Sequence, residues 1–221
     1  MAAAVAATAL GACAHRSATP PPLPPLTRIR VLPVTAPDRF YTYNNMVAGF
    51  IGASIANRIK SNLFTEKMEA ERRALGPKMT AALIDALKNK GYSAEAMPLP
   101  AGAATADDID VAKLPPGDPV LYAQFGEAGM DSARFSSVYL PRLNLGASLT
   151  RPGSADELFS TSLYYGADAR GEADWSLPAA PRFQFPDFEA LMDRTPEVVA
   201  SFDDGIRRMA ERVAQQLKNR G

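Results

Sequence analysis

"VYLPRLNLGASLT", residues 138–150, decides the fold: Leu143, Leu145, Ala147 and Leu149 alternate with Asn144, Gly146 and Ser148. Successive side chains of an extended chain point to opposite faces, so this pattern is that of a half-buried strand. "RPGSAD", 151–156, brings the proline and glycine of a turn, and "ELFSTSLYYGADA", 157–169, then resumes an extended run. Two long strands about so short a break make an antiparallel hairpin. Its apolar face must be covered by something else in the chain.

Both flanks supply the cover. Upstream, "DPVLYAQFGEAG", 118–129, reads as a further strand, and "TRIRVLPV", 27–34, as the first one, stopped by "TAPD". Between them "PKMTAALIDALKNKG", 77–91, is helical, with Met79, Leu83 and Leu87 on one side, Lys88 and Lys90 in the last turn and Gly91 as its stop. "YSAEAMPL", 92–99, follows it as a strand. Downstream, Thr195 is the expected N-cap, with Pro196 and Glu197 in the first turn. Val198, Phe202, Ile206, Met209, Val213 and Leu217 then form the apolar stripe of a long amphipathic helix. The fold class is therefore α/β (α+β). The expected architecture is a single mixed sheet packed by two or three helices, with a long antiparallel hairpin and a C-terminal amphipathic helix.

"NNMVAGFIGASIANRIKSNLF", 44–64, has two patterns at once. Val47, Ile51, Ile55, Ile59 and Leu63 recur every four residues, and Met46 and Phe50 widen that stripe. Gly49, Gly52, Ala53 and Ala56 form a small-residue face of the kind that lets helices approach closely. The uncharged run is too short for a membrane span, since Arg58 and Lys60 close it. The expectation is a helix buried against the sheet. A subunit or membrane contact through Gly49, Phe50, Ile51, Gly52, Ala53 and Ala56 is the alternative. "TEKMEAERRA", 65–74, continues as a charged, solvated helix that Gly76-Pro77 is expected to break or kink.

Lys+Arg and Asp+Glu both number 24, and a formal net charge of zero argues against a nucleic-acid binder. The one cysteine and the one histidine, Cys13 and His15, both lie in the N-terminal leader. Neither a disulfide, a zinc cluster nor a histidine-based catalytic set is expected in the domain, and no metal or cofactor is implied. Asp107, Asp108 and Asp110 in "PAGAATADDIDVAKLPPGDP", 100–119, lack the glycine and distal glutamate of a calcium loop, so capping by Thr105 or Asp107 is expected. Asp107, Asp108, Asp168 and Asp174 would be the carboxylates of a hydrolase, but nothing in the sequence pairs two of them across a site. Trp175, in the irregular "RGEADWSLPAAPRFQFPDF", is expected to anchor a loop or to serve as a binding platform.

The leader reads "MAAAVAATALGAC", residues 1–13, an uncharged stretch ending in small residues. "LGAC", 10–13, resembles the lipobox of bacterial lipoproteins. The resemblance implies a signal peptide over 1–12, for which an upstream start is expected, and lipidation of Cys13. "AHRSATPPPLPPLT", 14–27, is Pro-rich and suits an extended tether, leaving 28–221 as one periplasmic domain. By the family's sorting rule the non-acidic Ala14 implies the outer membrane, periplasmic face.

"RIRVLPV", "MTAALIDALKNKGYSA" followed by "DPVLYAQF", and the hairpin halves "LPRLNLGASL" and "LFSTSLYYG" together resemble the α/β domains of bacterial envelope lipoproteins. Among these are the curli-secretion lipoprotein, the penicillin-binding-protein activator and the N-terminal domain of the Tol propeller protein. That likeness implies a lipid-anchored, non-enzymatic binding or scaffolding component, with an envelope protein or a second copy as partner. The alternative is a ring-forming secretion or pore component using helix 46–57 as subunit or membrane contact.

Overall fold

The computed structural model describes residues 26–44, 51–132, 136–154 and 156–219, with 51–54 and 56 placed in their helix. The elements are β1 (Arg28–Val31), β2 (Tyr41–Tyr43), α1 (Ile51–Lys67), α2 (Glu69–Asn89), β3 (Ser93–Ala96), β4 (Val120–Ser132), β5 (Tyr139–Thr150), β6 (Glu157–Gly166), β7 (Ser176–Leu177), α3 (Phe188–Asp193) and α4 (Thr195–Lys218). They form an α/β fold around one mixed sheet with strand order β3-β1-β4-β5-β6-β7, β2 lying beside the far half of β4. β1 runs parallel to β3 and β4, while β5 is antiparallel to both of its neighbours, β4 and β6. β7 closes the order parallel to β6, touching it only at Tyr164 and Tyr165.

The alternation of the hairpin is realised residue by residue. Leu145 pairs with Leu163 and Leu149 with Phe159, all four buried. Their face is covered by α4, and α2 packs beside it over β1 and β3, against α4. Met79, Leu83 and Leu87 of α2 are buried, as are Val198, Phe202, Ile206, Met209, Val213 and Leu217 of α4. Gly205 lets α4 sit close to the sheet, since a Cβ there would lie 2.8 Å from Tyr165 and 2.9 Å from Leu143. The opposite face is treated unevenly. At the β1 and β4 end, Leu32 and Val120 are covered by Ala106 and by Ile109 and Val111 of the 97–114 segment. Over β5 and β6 Asn144 and Gly146 are only half-buried, and Ser160 and Ser162 are exposed.

Four expectations are corrected. The helical segment breaks at Met68, between α1 and α2, and α2 runs unbroken through Pro77. Proline inside a helix costs about 3 kcal/mol. Leu75, Met79 and Leu83 are buried on either side of it, each contributing about 1.5–3 kcal/mol, and that outweighs the loss. Gly76 instead serves close approach: a Cβ there would lie 2.3 Å from the Val34 carbonyl oxygen. Thr80 Oγ1 ties the same contact, accepting from Val34 N at 2.8 Å and donating to Gly76 O at 3.0 Å.

The second correction concerns α1. Its regular stripe is turned outward: Ile55, Ile59 and Leu63 are 59%, 56% and 49% exposed. The helix docks by another side, through buried Phe64 and through polar groups. Ser61 Oγ accepts from Thr42 N, Thr65 Oγ1 donates to Phe40 O, and Asn57 Nδ2 donates to Asn44 O. Third, Thr195 is the first residue of α4 rather than its cap, which is Arg194, and its hydroxyl donates to Met192 O. Fourth, β2, β7 and α3 form where no strand or helix is expected, α3 being capped by Asp187, which accepts from Ala190 N at 2.8 Å. Among the described residues no helix is long and apolar enough to cross a membrane.

Candidate functional site

A cleft of about 740 Å³ lies along the exposed part of β6, at its boundary with the loop that leads to β7 and with the end of α4. It is built from the polar phase of the hairpin. β5 directs Arg142 and Asn144 to the open face, and β6 adds Ser162 and Tyr164. After β6 the chain reverses at Gly166, whose φ of +80° puts it in the left-handed region. A Cβ there would fall 1.7 Å from the Pro141 carbonyl oxygen, so only glycine serves. Ala167 N then donates to that carbonyl at 2.9 Å, and the reversal brings Asp168 back against β5.

Asp168 accepts from Arg142 Nε at 2.5 Å and from Asn144 Nδ2 at 2.8 Å through the same carboxylate oxygen, Oδ2. Arg142 also reaches Asp131 Oδ2 at 3.1 Å. Burial works against the Arg142 charge, but the bond it donates to Asp168 and the neighbouring Tyr41 and Asp131 outweigh it and hold the guanidinium firmly cationic. Burial likewise raises the Asp131 carboxyl above its usual range, with Arg142 opposing. These groups form a fixed floor in which one guanidinium bridges two carboxylates.

The wall is aromatic. Tyr164 N donates to Trp175 O at 2.9 Å, and the two rings meet edge-to-face, with centroids 5.5 Å apart at 83°. Trp175 is 39% exposed. α4 holds the loop from below: Arg212 donates to the Asp174 carbonyl and lies 3.6 Å from its carboxylate, and Gln216 Nε2 reaches the same carbonyl at 3.5 Å. The amide oxygens of Asn144 and Gln216, both in the lining, are buried without a hydrogen-bond partner among the described residues.

Of the residues singled out from sequence, Trp175 lines this cleft, as do two of the four carboxylates, Asp168 and Asp174. Asp107 lies elsewhere, accepting from the Tyr122 hydroxyl at 2.7 Å. Asp108 Oδ2 caps the turn at Thr105, and Asp110 caps the next one through Ala112 N, so these acids act on backbone. No group of three His, Cys, Asp or Glu among the described residues is placed to hold a metal ion. Ile51, Gly52, Ala53 and Ala56 lie in the opening turns of α1, whereas Cys13, Gly49 and Phe50 lie outside the described residues. Sequence reading missed Arg142, Arg170 and Gln216. The polar phase of both hairpin strands signals the open face, but not which distant side chains converge on it.

No family model and no curated protein matches the chain. Among solved structures it is similar to a Xanthomonas campestris protein of the DUF330 family, at 10% identity over 88% of this chain and 85% of that one, with a TM-score of 0.46. It is also similar to a lipoprotein of Neisseria meningitidis, at 16% identity over 66% of this chain and 88% of that one, with a TM-score of 0.35. Likenesses of this size concern the course of the chain and say nothing of ligand or activity.

Proposed function

We propose that this chain is a lipid-anchored, non-enzymatic binding protein of the bacterial envelope, held at the periplasmic face of the outer membrane through Cys13. The domain presents the open face of its sheet to a partner or ligand. One observation carries the binding role: the acid on the floor of the cleft is committed to two donors, Arg142 and Asn144. A carboxylate so engaged positions other groups instead of taking a proton from a substrate. The anchor rests on "LGAC" and on the Pro-rich stretch that runs up to β1. Several acyl chains hold a tethered domain stably where a single chain does not.

Metabolic labelling with a clickable fatty acid tests the anchor. The native chain is expected to take up label and fractionate with the outer membrane. Cys13→Ala should do neither while its domain keeps a cooperative melt. Absence of label from both chains would remove the anchor.

A second role is favoured by the outward stripe of α1. Ile55, Ile59 and Leu63 follow one another at four-residue spacing, with Gly52 and Ala56 three residues before Ile55 and Ile59, so the five positions share one side of the helix. Antiparallel approach of a second copy would set the large residues of one helix against the small ones of the other. A ring-forming or self-associating component would use that face. A discrete high-mass species in mild detergent that Ile59→Asp disperses would support it, and a monomer would exclude it.

A further inference from the structure

We propose that the cleft between β6, the 167–175 loop and the end of α4 is a saccharide site that takes a short neutral oligosaccharide. It rests on the binding role proposed above and names the ligand class. Three observations converge on that chemistry.

The first is the aromatic wall. A sugar ring presents a face of C–H groups, which is covered best by the flat face of an aromatic side chain. In the edge-to-face pair of Tyr164 and Trp175 each ring keeps at least one face clear of the other. Trp175 is left 39% exposed, whereas Tyr139, Tyr165 and Phe159 of the hairpin are buried.

The second is the kind of polar group around it. Hydroxyls donate and accept at once, and planar side chains with two polar atoms serve them in pairs. The lining supplies an amide on each side, Asn144 and Gln216, together with the hydroxyls of Thr161 and Ser162. The amide oxygens of Asn144 and Gln216 are buried and unpaired among the described residues. A buried acceptor left unpaired costs about 1–3 kcal/mol. A ligand hydroxyl reaching either oxygen after a small side-chain rotation would relieve that cost.

The third is charge and size. The lining holds two arginines, Arg142 and Arg170, and two aspartates, Asp168 and Asp174. Arg142 is neutralised by Asp168 at 2.5 Å, and Asp174 faces Arg212 at 3.6 Å. Exposed Arg170 is the one lining charge with no ion pair among the described residues. The paired charges of the floor offer a charged ligand no free partner, whereas a neutral polyol needs none. The volume of about 740 Å³ lies inside the range of small-molecule sites, roughly 300–1,000 Å³. A smaller groove of about 290 Å³, lined by Gly126, Asn144 and Gly146, adjoins it across β5, so a ligand longer than one ring can extend over the sheet.

Trp175 is the only tryptophan in the chain, so its emission reports on this cleft alone. The full chain is titrated with chitotetraose and maltotetraose, with calorimetry as a second readout. At least one of the two is expected to change the emission saturably, to release or absorb heat, and to protect Trp175 from acrylamide quenching. Trp175→Ala should then weaken the calorimetric affinity by about tenfold. Should that variant fail to melt cooperatively, acrylamide protection in the unaltered chain decides alone. No response to either sugar from a cooperatively melting chain would overturn the assignment. So would a response confined to tetragalacturonate, or one confined to an extended Val/Thr peptide laid along the free edge of β6. The titration does not depend on acylation, so its failure and a failure of the fatty-acid labelling are separate results.

Discussion

α4 and α1 both have an aliphatic residue on nearly every turn, yet one stripe is sealed and the other faces outward. Phe202, Met209 and Val213 of α4 are fully buried, whereas Ile55 and Ile59 of α1 are more than half exposed. The difference lies in what accompanies each stripe. In α4 the neighbouring positions Ser201, Gly205, Ala210 and Ala214 are small and also buried, so the apolar face is broad and can lie flat on a sheet. In α1 the side opposite the stripe has Phe64 together with Ser61 and Thr65, which bond to the β2 segment. Hydrogen bonds and one aromatic ring turn α1 by that side, and the isoleucines are left outside. A helical period thus establishes a helix, but the width and chemistry of its faces establish which one is covered.

The sharpest test of the sealed side is Phe202→Ala. Phe202 stacks against Phe40 with centroids 4.8 Å apart, and both rings are fully buried. The substitution should cost about 3–5 kcal/mol, read as a fall in the denaturant midpoint at unchanged slope. Gly205→Ala comes next. Its new methyl would meet the Tyr165 ring and a Leu143 methyl inside 3 Å, and Tyr165 cannot easily move because its hydroxyl donates to Asp204 at 2.9 Å. Overpacking of about 1–3 kcal/mol is expected to exceed the gain of about 1 kcal/mol from better helix propensity. A more stable variant would mean that α4 has slack against the sheet.

The elements legible in the sequence are those whose one covered face shows as a period. β5, β6, α2 and α4 each bury a continuous side, and each shows it at period two or near 3.6. β2 and β7 have three and two residues, too few for any period, and they exist because β4 and β6 offer unpaired edges. The break at Met68 and the continuity through Pro77 depend on packing that no local rule contains. The cleft was legible in halves. Asn144, Ser162 and Tyr164 stand in the polar phase of the hairpin, and Trp175 and Asp168 drew attention as single residues. Their meeting requires the reversal at Gly166, and Gln216 comes from the far end of another helix, about which the hairpin pattern says nothing.

The junction where α1 gives way to α2 offers a smaller test, through pH. Hydrogen bonds from Arg72 and then Arg73 hold the Glu69 carboxyl at about 2, far below its ordinary 4.5. Because the folded value is the lower one, its contribution is complete above the ordinary value and is lost as pH falls from about 5 through 2. Arg72 also donates to Pro37 O at 2.5 Å, so the network ties the junction to the strand side. The native chain should therefore lose more melting temperature between pH 5 and pH 2 than Glu69→Gln does. Equal losses would show that the junction is held by packing alone.

The smallest effect on stability is expected where the aliphatic pattern is most conspicuous. Ile59 is 56% exposed, and glutamine is a good helix former, so Ile59→Gln should change the unfolding free energy by no more than about 0.5 kcal/mol. Its consequence belongs to association: if α1 meets a second copy, the variant should dissociate at concentrations where the native chain stays assembled, with the same melting midpoint once both are monomeric. A cost approaching that of Phe202→Ala in the monomer would mean that the stripe is covered within a single chain. α1 and α4 would then be alike, and the contrast between a sealed face and a presented one would fail.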